Sequence, residues 1–70
     1  MKRFVSFLDA FLFTPDYGSV FVLKGRIYEY CGIVHTPDDD LVLAYYRGGK
    51  GCYRVFPLSR YKDEKICFVY

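Results

Sequence analysis

The stretch Arg26-Ile27-Tyr28-Glu29-Tyr30-Cys31-Gly32-Ile33-Val34-His35-Thr36, followed by Pro37-Asp38-Asp39-Asp40, decides the fold. Apolar and polar residues alternate along it, which is the period of a half-buried strand. Tyr28, Tyr30, Ile33 and Val34 around Gly32 suit a pleated surface and argue against a helix. Pro37 closes the run, and aspartates following a proline favour a turn through hydrogen bonds to their own backbone. The stretch therefore reads as a long central strand and the turn that ends it. Its Gly32 is a place for a bulge that bends the strand.

Working outward, Val20 to Lys24 is a short apolar strand, joined to Arg26 by a turn at Lys24-Gly25. Leu41 to Arg47 is the next strand after the aspartates. Gly48-Gly49-Lys50-Gly51 is a hairpin loop, because glycines accept the positive φ of tight turns. Cys52 to Phe56 follows and stops at Pro57. Ser59 to Lys65 is polar and short, enough for one helical turn, and Ile66 to Tyr70 is a last strand. Ahead of all these, Phe4, Phe7, Leu8, Phe11 and Leu12 recur at three- and four-residue spacing, which predicts an amphipathic helix over residues 2–13 that Thr14-Pro15 ends. Lys2 and Arg3 oppose its dipole, so packing must hold it, either as a lid on an open end of the sheet or docked on another chain. The expected architecture over residues 1–70 is a single, mainly β domain with one N-terminal helix. Residues 20–70 form a small five-stranded SH3-like barrel with a short helical turn between strands four and five.

Within this pattern, Lys24-Gly25-Arg26-Ile27-Tyr28, Gly32-Ile33-Val34-His35-Thr36, Leu41-Val42 with Tyr45, and Val55 with Pro57-Leu58 stand in order. Taken together they resemble a family of short bacterial proteins of unknown function. The likeness covers roughly residues 20–61, rests on strand and turn residues, and implies an SH3-like barrel. It implies no chemistry and transfers no functional residue. The family tends to carry an arginine just before its Pro-Leu, where this chain has Phe56; Arg54 lies two residues earlier.

Seventy residues place the chain near the lower end of what folds unaided. A hydrophobic content of 53% excludes disorder. Eight tyrosines and seven phenylalanines exceed what so small a core hides, so several rings are expected at the surface, where rigid amphipathic tyrosines suit binding. The opening Met1-Lys2-Arg3 has the basic start of a signal peptide, but Asp9 interrupts the apolar run and no small-residue cleavage site follows. The run is too short to span a bilayer. With Cys31, Cys52 and Cys67 unable all to pair within the chain, a cytoplasmic protein with reduced thiols is expected.

Cys31, the single His35 and Asp38–Asp40 pose the question of a site. Along a strand, residues four apart lie about 13 Å from one another, too far for one zinc ion. A cysteine–histidine pair also needs hydrogen-bond reach and an orienting residue, and the aspartates lack the alternating spacing of a calcium loop. The glycine loop at residues 48–51 lacks the spacing, Ser/Thr and helix of a phosphate loop. No metal, cofactor or catalytic group is expected, and an enzyme is the least favoured class.

Binding is the expected role, and charge locates it. Arg47, Lys50, Arg54, Arg60 and Lys62 fall in a span without acids, interleaved with Tyr53, Phe56 and Tyr61 and adjoining Tyr45. These nine residues are the candidate surface. The first reading is a protein-binding module, a bacteriophage or bacterial accessory or inhibitor that occludes a partner, with self-association through the helix or a strand edge as a variant. The alternative is a small barrel for single-stranded nucleic acid, in which cations hold phosphate and rings stack on bases. Against the latter stands a net charge of only +2. No membrane partner is expected.

Overall fold

The computed structural model describes residues 4–12, 15–49 and 51–69. Lys24 and Gly25 both take positive φ, 50° and 77°, which is the two-residue hairpin geometry whose twist matches that of its strands. This turn joins β2 (Val20–Leu23) to β3 (Arg26–His35) and sets Phe21 opposite Tyr28 and Leu23 opposite Arg26. Thr36 and Asp39 close the next turn, with the Asp39 N–H donating to the Thr36 hydroxyl at 3.0 Å. There β4 (Asp40–Tyr46) begins, and beyond the glycine loop β5 (Tyr53–Pro57) pairs back on it.

β3 carries a bulge. Tyr30 pairs with Ala44 and Gly32 with Leu43, leaving Cys31 as the extra residue. Gly32 has φ 133°, a conformation open essentially to glycine alone. A Cβ there would also lie 3.0 Å from the Tyr17 hydroxyl. Bulges raise local twist and bend the strand, so the sheet curls around one face.

Into that face point Phe21, Leu23, Tyr28, Tyr30, Val42, Ala44, Phe56 and Ile66, all buried. α1 (Phe7–Leu12) adds Phe7 and Phe11. The core is a chain of ring contacts: Phe11 lies 5.3 Å from Phe21 and 5.5 Å from Tyr30, and Tyr28 meets Phe56 edge-on at 5.1 Å. Edge-on and offset pairs of this kind each add about 0.5–1.5 kcal/mol beyond burial. Among the described residues no charged side chain is buried.

Two expectations are corrected. Phe4–Ser6, expected in the helix, form an edge strand, β1, antiparallel to β6 (Lys65–Val69), with Phe4 opposite Cys67 and Val5 opposite Ile66. Among the described residues the helix runs over α1, and Lys2, Arg3, Phe13 and Thr14 lie outside the described residues. Its start is set by Ser6, whose hydroxyl accepts the Asp9 N–H at 3.1 Å as an N-cap. The Phe7 and Leu8 N–H groups donate to the Glu64 and Lys62 carbonyls at 2.7 and 3.2 Å. Of the expected apolar stripe only Phe7 and Phe11 are buried; Phe4 is 64% exposed.

The second correction concerns closure. The described residues form one open antiparallel sheet of six strands in the order β1-β6-β2-β3-β4-β5, not a closed five-stranded barrel. β1 occupies the edge of β6, and β5 ends the sheet on the other side. Side chains rather than ladder hydrogen bonds bridge the gap on the concave side, where Phe7 lies 5.8 Å from Phe56 and 5.9 Å from Tyr61. The helical turn expected between the last two strands is present as a second helix, α2 (Leu58–Tyr61).

Candidate binding surfaces

Alternation along β5 divides the sequence-derived surface in two. Phe56 faces inward, at 2% exposure, and is a core ring rather than a contact for a ligand. Arg54 shares its side of the sheet and reaches the rim. Tyr53 and Val55 project from the opposite face, 67% and 52% exposed. Tyr45 pairs with Tyr53 across the strands, their rings edge-on at 5.2 Å, and its hydroxyl accepts the Gly51 N–H at 3.1 Å. Arg47 is exposed in the turn after β4, and Lys50 lies outside the described residues. On α2 and just beyond it, Arg60 and Lys62 are exposed, while Tyr61 is half-buried, edge-on to Phe56 at 5.0 Å. Cations and rings are thus brought together only in part.

The first surface is the outer face of the sheet. Val34 lies opposite Leu41 and Leu41 opposite Pro57; beside them Leu43 lies opposite Val55, and Tyr45 opposite Tyr53. The last row continues to Glu29, opposite Tyr45; the other residues named are uncharged. A second apolar row runs from Phe4 across Cys67 and Val22 to Ile27. Sequence reading missed this because a strand apolar on both faces resembles one buried on both.

The second surface is a cleft of about 290 Å³ on the concave side. Lys24 and Arg26, at the β2–β3 turn, and Arg54 of β5 stand around it, over Tyr28, Phe56 and Tyr61. Lys24 and Arg26 were not among the candidate residues. They are far from Arg54 in sequence, and only the curl of the sheet brings the three together.

The opening cluster is dispersed. The His35 Nδ1–H donates to the Asp40 carboxylate at 2.8 Å, and both are solvent-facing. The Cys31 thiol donates to the Glu29 carbonyl at 3.4 Å. Asp39 does more than make its turn: its carboxylate accepts the Ser59 hydroxyl at 2.6 Å and the Ser59 and Asp40 N–H groups at 3.2 and 2.8 Å. The Ser59 hydroxyl chiefly holds the Asp39 carboxyl below the usual range, against some desolvation, and the backbone donors reinforce it. This pins α2 to the β3–β4 turn. Among the described residues no three His, Cys, Asp or Glu side chains gather as metal ligands.

Comparison of the chain with protein-family models, curated proteins and solved structures finds no match in any of the three. Among the described residues no helix is long and apolar enough to cross a membrane.

Proposed function

We propose that the chain is a non-enzymatic protein-binding module whose partner docks on the outer face of β4 and β5. The observation that carries this reading is the uncharged set of Val34, Tyr53 and Val55, all exposed, with the half-buried Leu41, Leu43 and Tyr45 between them. Contiguous apolar surface of this sort on a small domain marks an interaction site, and tyrosine is enriched at the contacts that matter most in interfaces. β5 is also a sheet edge whose outward backbone groups are open to an added strand. The partner is a protein with an apolar strand or loop, and the module acts by covering it, as an accessory or inhibitory factor. We take its compartment to be the cytoplasm, in keeping with Cys31 and Cys67 serving as small apolar side chains.

The test is capture from nuclease-treated host lysate with wild type and with Val55→Asp. One protein retained in stoichiometric amount by wild type and lost with the variant, at unchanged melting temperature, is the expected result. Identical capture by both overturns the reading. A wild-type dimer in light scattering that becomes a monomer in Val55→Asp assigns the face to a second copy of the chain instead.

A further inference from the structure

The concave cleft is separate from the outer face and has a different chemistry. Its rim carries three cations, Lys24, Arg26 and Arg54, all exposed. Lys24 has one distant counter-charge, Glu64 at 3.7 Å, in an exposed pair of little energetic weight. The Arg26 guanidinium stands 5.7 Å from the centre of the Tyr46 ring, a cation–π contact that holds it in place without neutralising it. Among the described residues no carboxylate lies within ion-pair distance of Arg26 or Arg54. One accessible ring, the half-buried Tyr61, stands at its floor, backed by the core rings of Tyr28 and Phe56.

We propose that this cleft binds a nucleoside phosphate, with the phosphate held between Arg26 and Arg54 and the base laid against the Tyr61 ring. Two forked guanidiniums and an ammonium at one rim suit a group carrying more than one negative charge; a single carboxylate satisfies only one fork. The accessible Tyr61 ring favours a ligand with a π-face over a bare anion. The volume, about 290 Å³, lies at the small end of ligand pockets and fits one nucleotide rather than a run of them. The phosphate has two sources, a free nucleotide or the phosphorylated end of a single strand, and the chemistry at the rim is the same for both. This site is independent of protein docking on the outer face, so either can fail without the other.

Calorimetric titration at low salt distinguishes the cases, using adenosine monophosphate, adenosine, inorganic phosphate and a thymidine oligonucleotide with and without a terminal phosphate. The nucleotide is expected to bind about tenfold or more tighter than adenosine or inorganic phosphate, and to weaken steeply as salt rises. Arg26→Ala and Arg54→Ala each weaken it about tenfold, at unchanged melting temperature, while Tyr53→Ala on the other face leaves it alone. A terminally phosphorylated oligonucleotide that binds tighter than the nucleotide identifies a strand end as the ligand; equal or weaker binding identifies the free nucleotide. No binding of any phosphorylated probe at millimolar concentration overturns the proposal. So does inorganic phosphate binding as tightly as the nucleotide, or binding that survives loss of both arginines.

Discussion

The two faces of one sheet are both apolar and have opposite fates. The inner face buries Phe21, Tyr28, Tyr30 and Phe56 beneath Phe7 and Phe11 of α1. The outer face leaves Tyr53, Val55, Val34 and Ile27 in contact with solvent. Period-2 alternation ordinarily puts polar residues outside, and here Glu29, Ser6 and Lys65 share that face with a larger set of apolar ones. The difference teaches where stability and recognition are divided: one face holds the domain together, and the other is free to change without unfolding it.

The strongest way to break the comparison is to remove a ring from the inner face. Phe21 is fully buried and touches Phe11, Tyr28 and Phe68 through its ring. Phe21→Ala is expected to cost about 3–5 kcal/mol. A domain of this length has only about 4–10 kcal/mol to lose, so the variant should give up roughly a third or more of its stability, read as a large fall in melting temperature by circular dichroism. A Phe21→Ala protein with an unchanged melting temperature would show that the inner face is not the principal core.

Next in size is the bulge that curls the sheet. Gly32→Ala forces a side chain onto φ 133° and against Tyr17, at a cost of about 1–3 kcal/mol measured by denaturant unfolding. Adding Tyr17→Ala, itself a change at an exposed ring, separates the two causes: recovery points to the contact, and no recovery to the backbone.

Asp39 gives a smaller effect with a pH signature. Its carboxyl titrates below the ordinary range in the folded state, so its bonds to Ser59 and Asp40 contribute at neutral pH and are lost as pH falls through that lowered value. Asp39→Asn should lower the melting temperature at neutral pH and flatten the acid limb of the stability curve. An unchanged acid limb would show that α2 is not pinned there. The smallest effect belongs to the outer face, where Val55→Asp should shift stability by no more than about 0.5 kcal/mol while removing the binding proposed above.

Much of the fold is legible in the residues themselves. The alternation of β3, the turn at Lys24-Gly25, the glycine loop and the stop at Pro57 are local signals, and each lies where its chemistry requires. β1 is not local. Phe4 satisfies helical spacing, and only the edge of β6, formed by residues 65–69, makes it a strand. Closure failed as an expectation for the same reason, since five strands with tight turns do not reveal whether their outermost edges meet. For the candidate surface, period 2 already separates Tyr53 and Val55 from Arg54 and Phe56. The convergence of Arg54 with Lys24 and Arg26 depends on curl, to which the bulge at Cys31 contributes and which no linear pattern displays.

The placement of β6 between β1 and β2 has a consequence for how the molecule is made. β2 to β5 follow one another in sequence and pair as they emerge from the ribosome. Phe4 and Val22, however, must both wait for Cys67 to be synthesised before their strands are joined. Until then the edge of β2 is bare and Phe21 lacks its Phe68 neighbour. Pairings so distant in the chain slow folding and leave strand edges exposed to other chains meanwhile. A growing polypeptide of this design is therefore most vulnerable until β6 has been made, and β6 is the strand that seals the sheet.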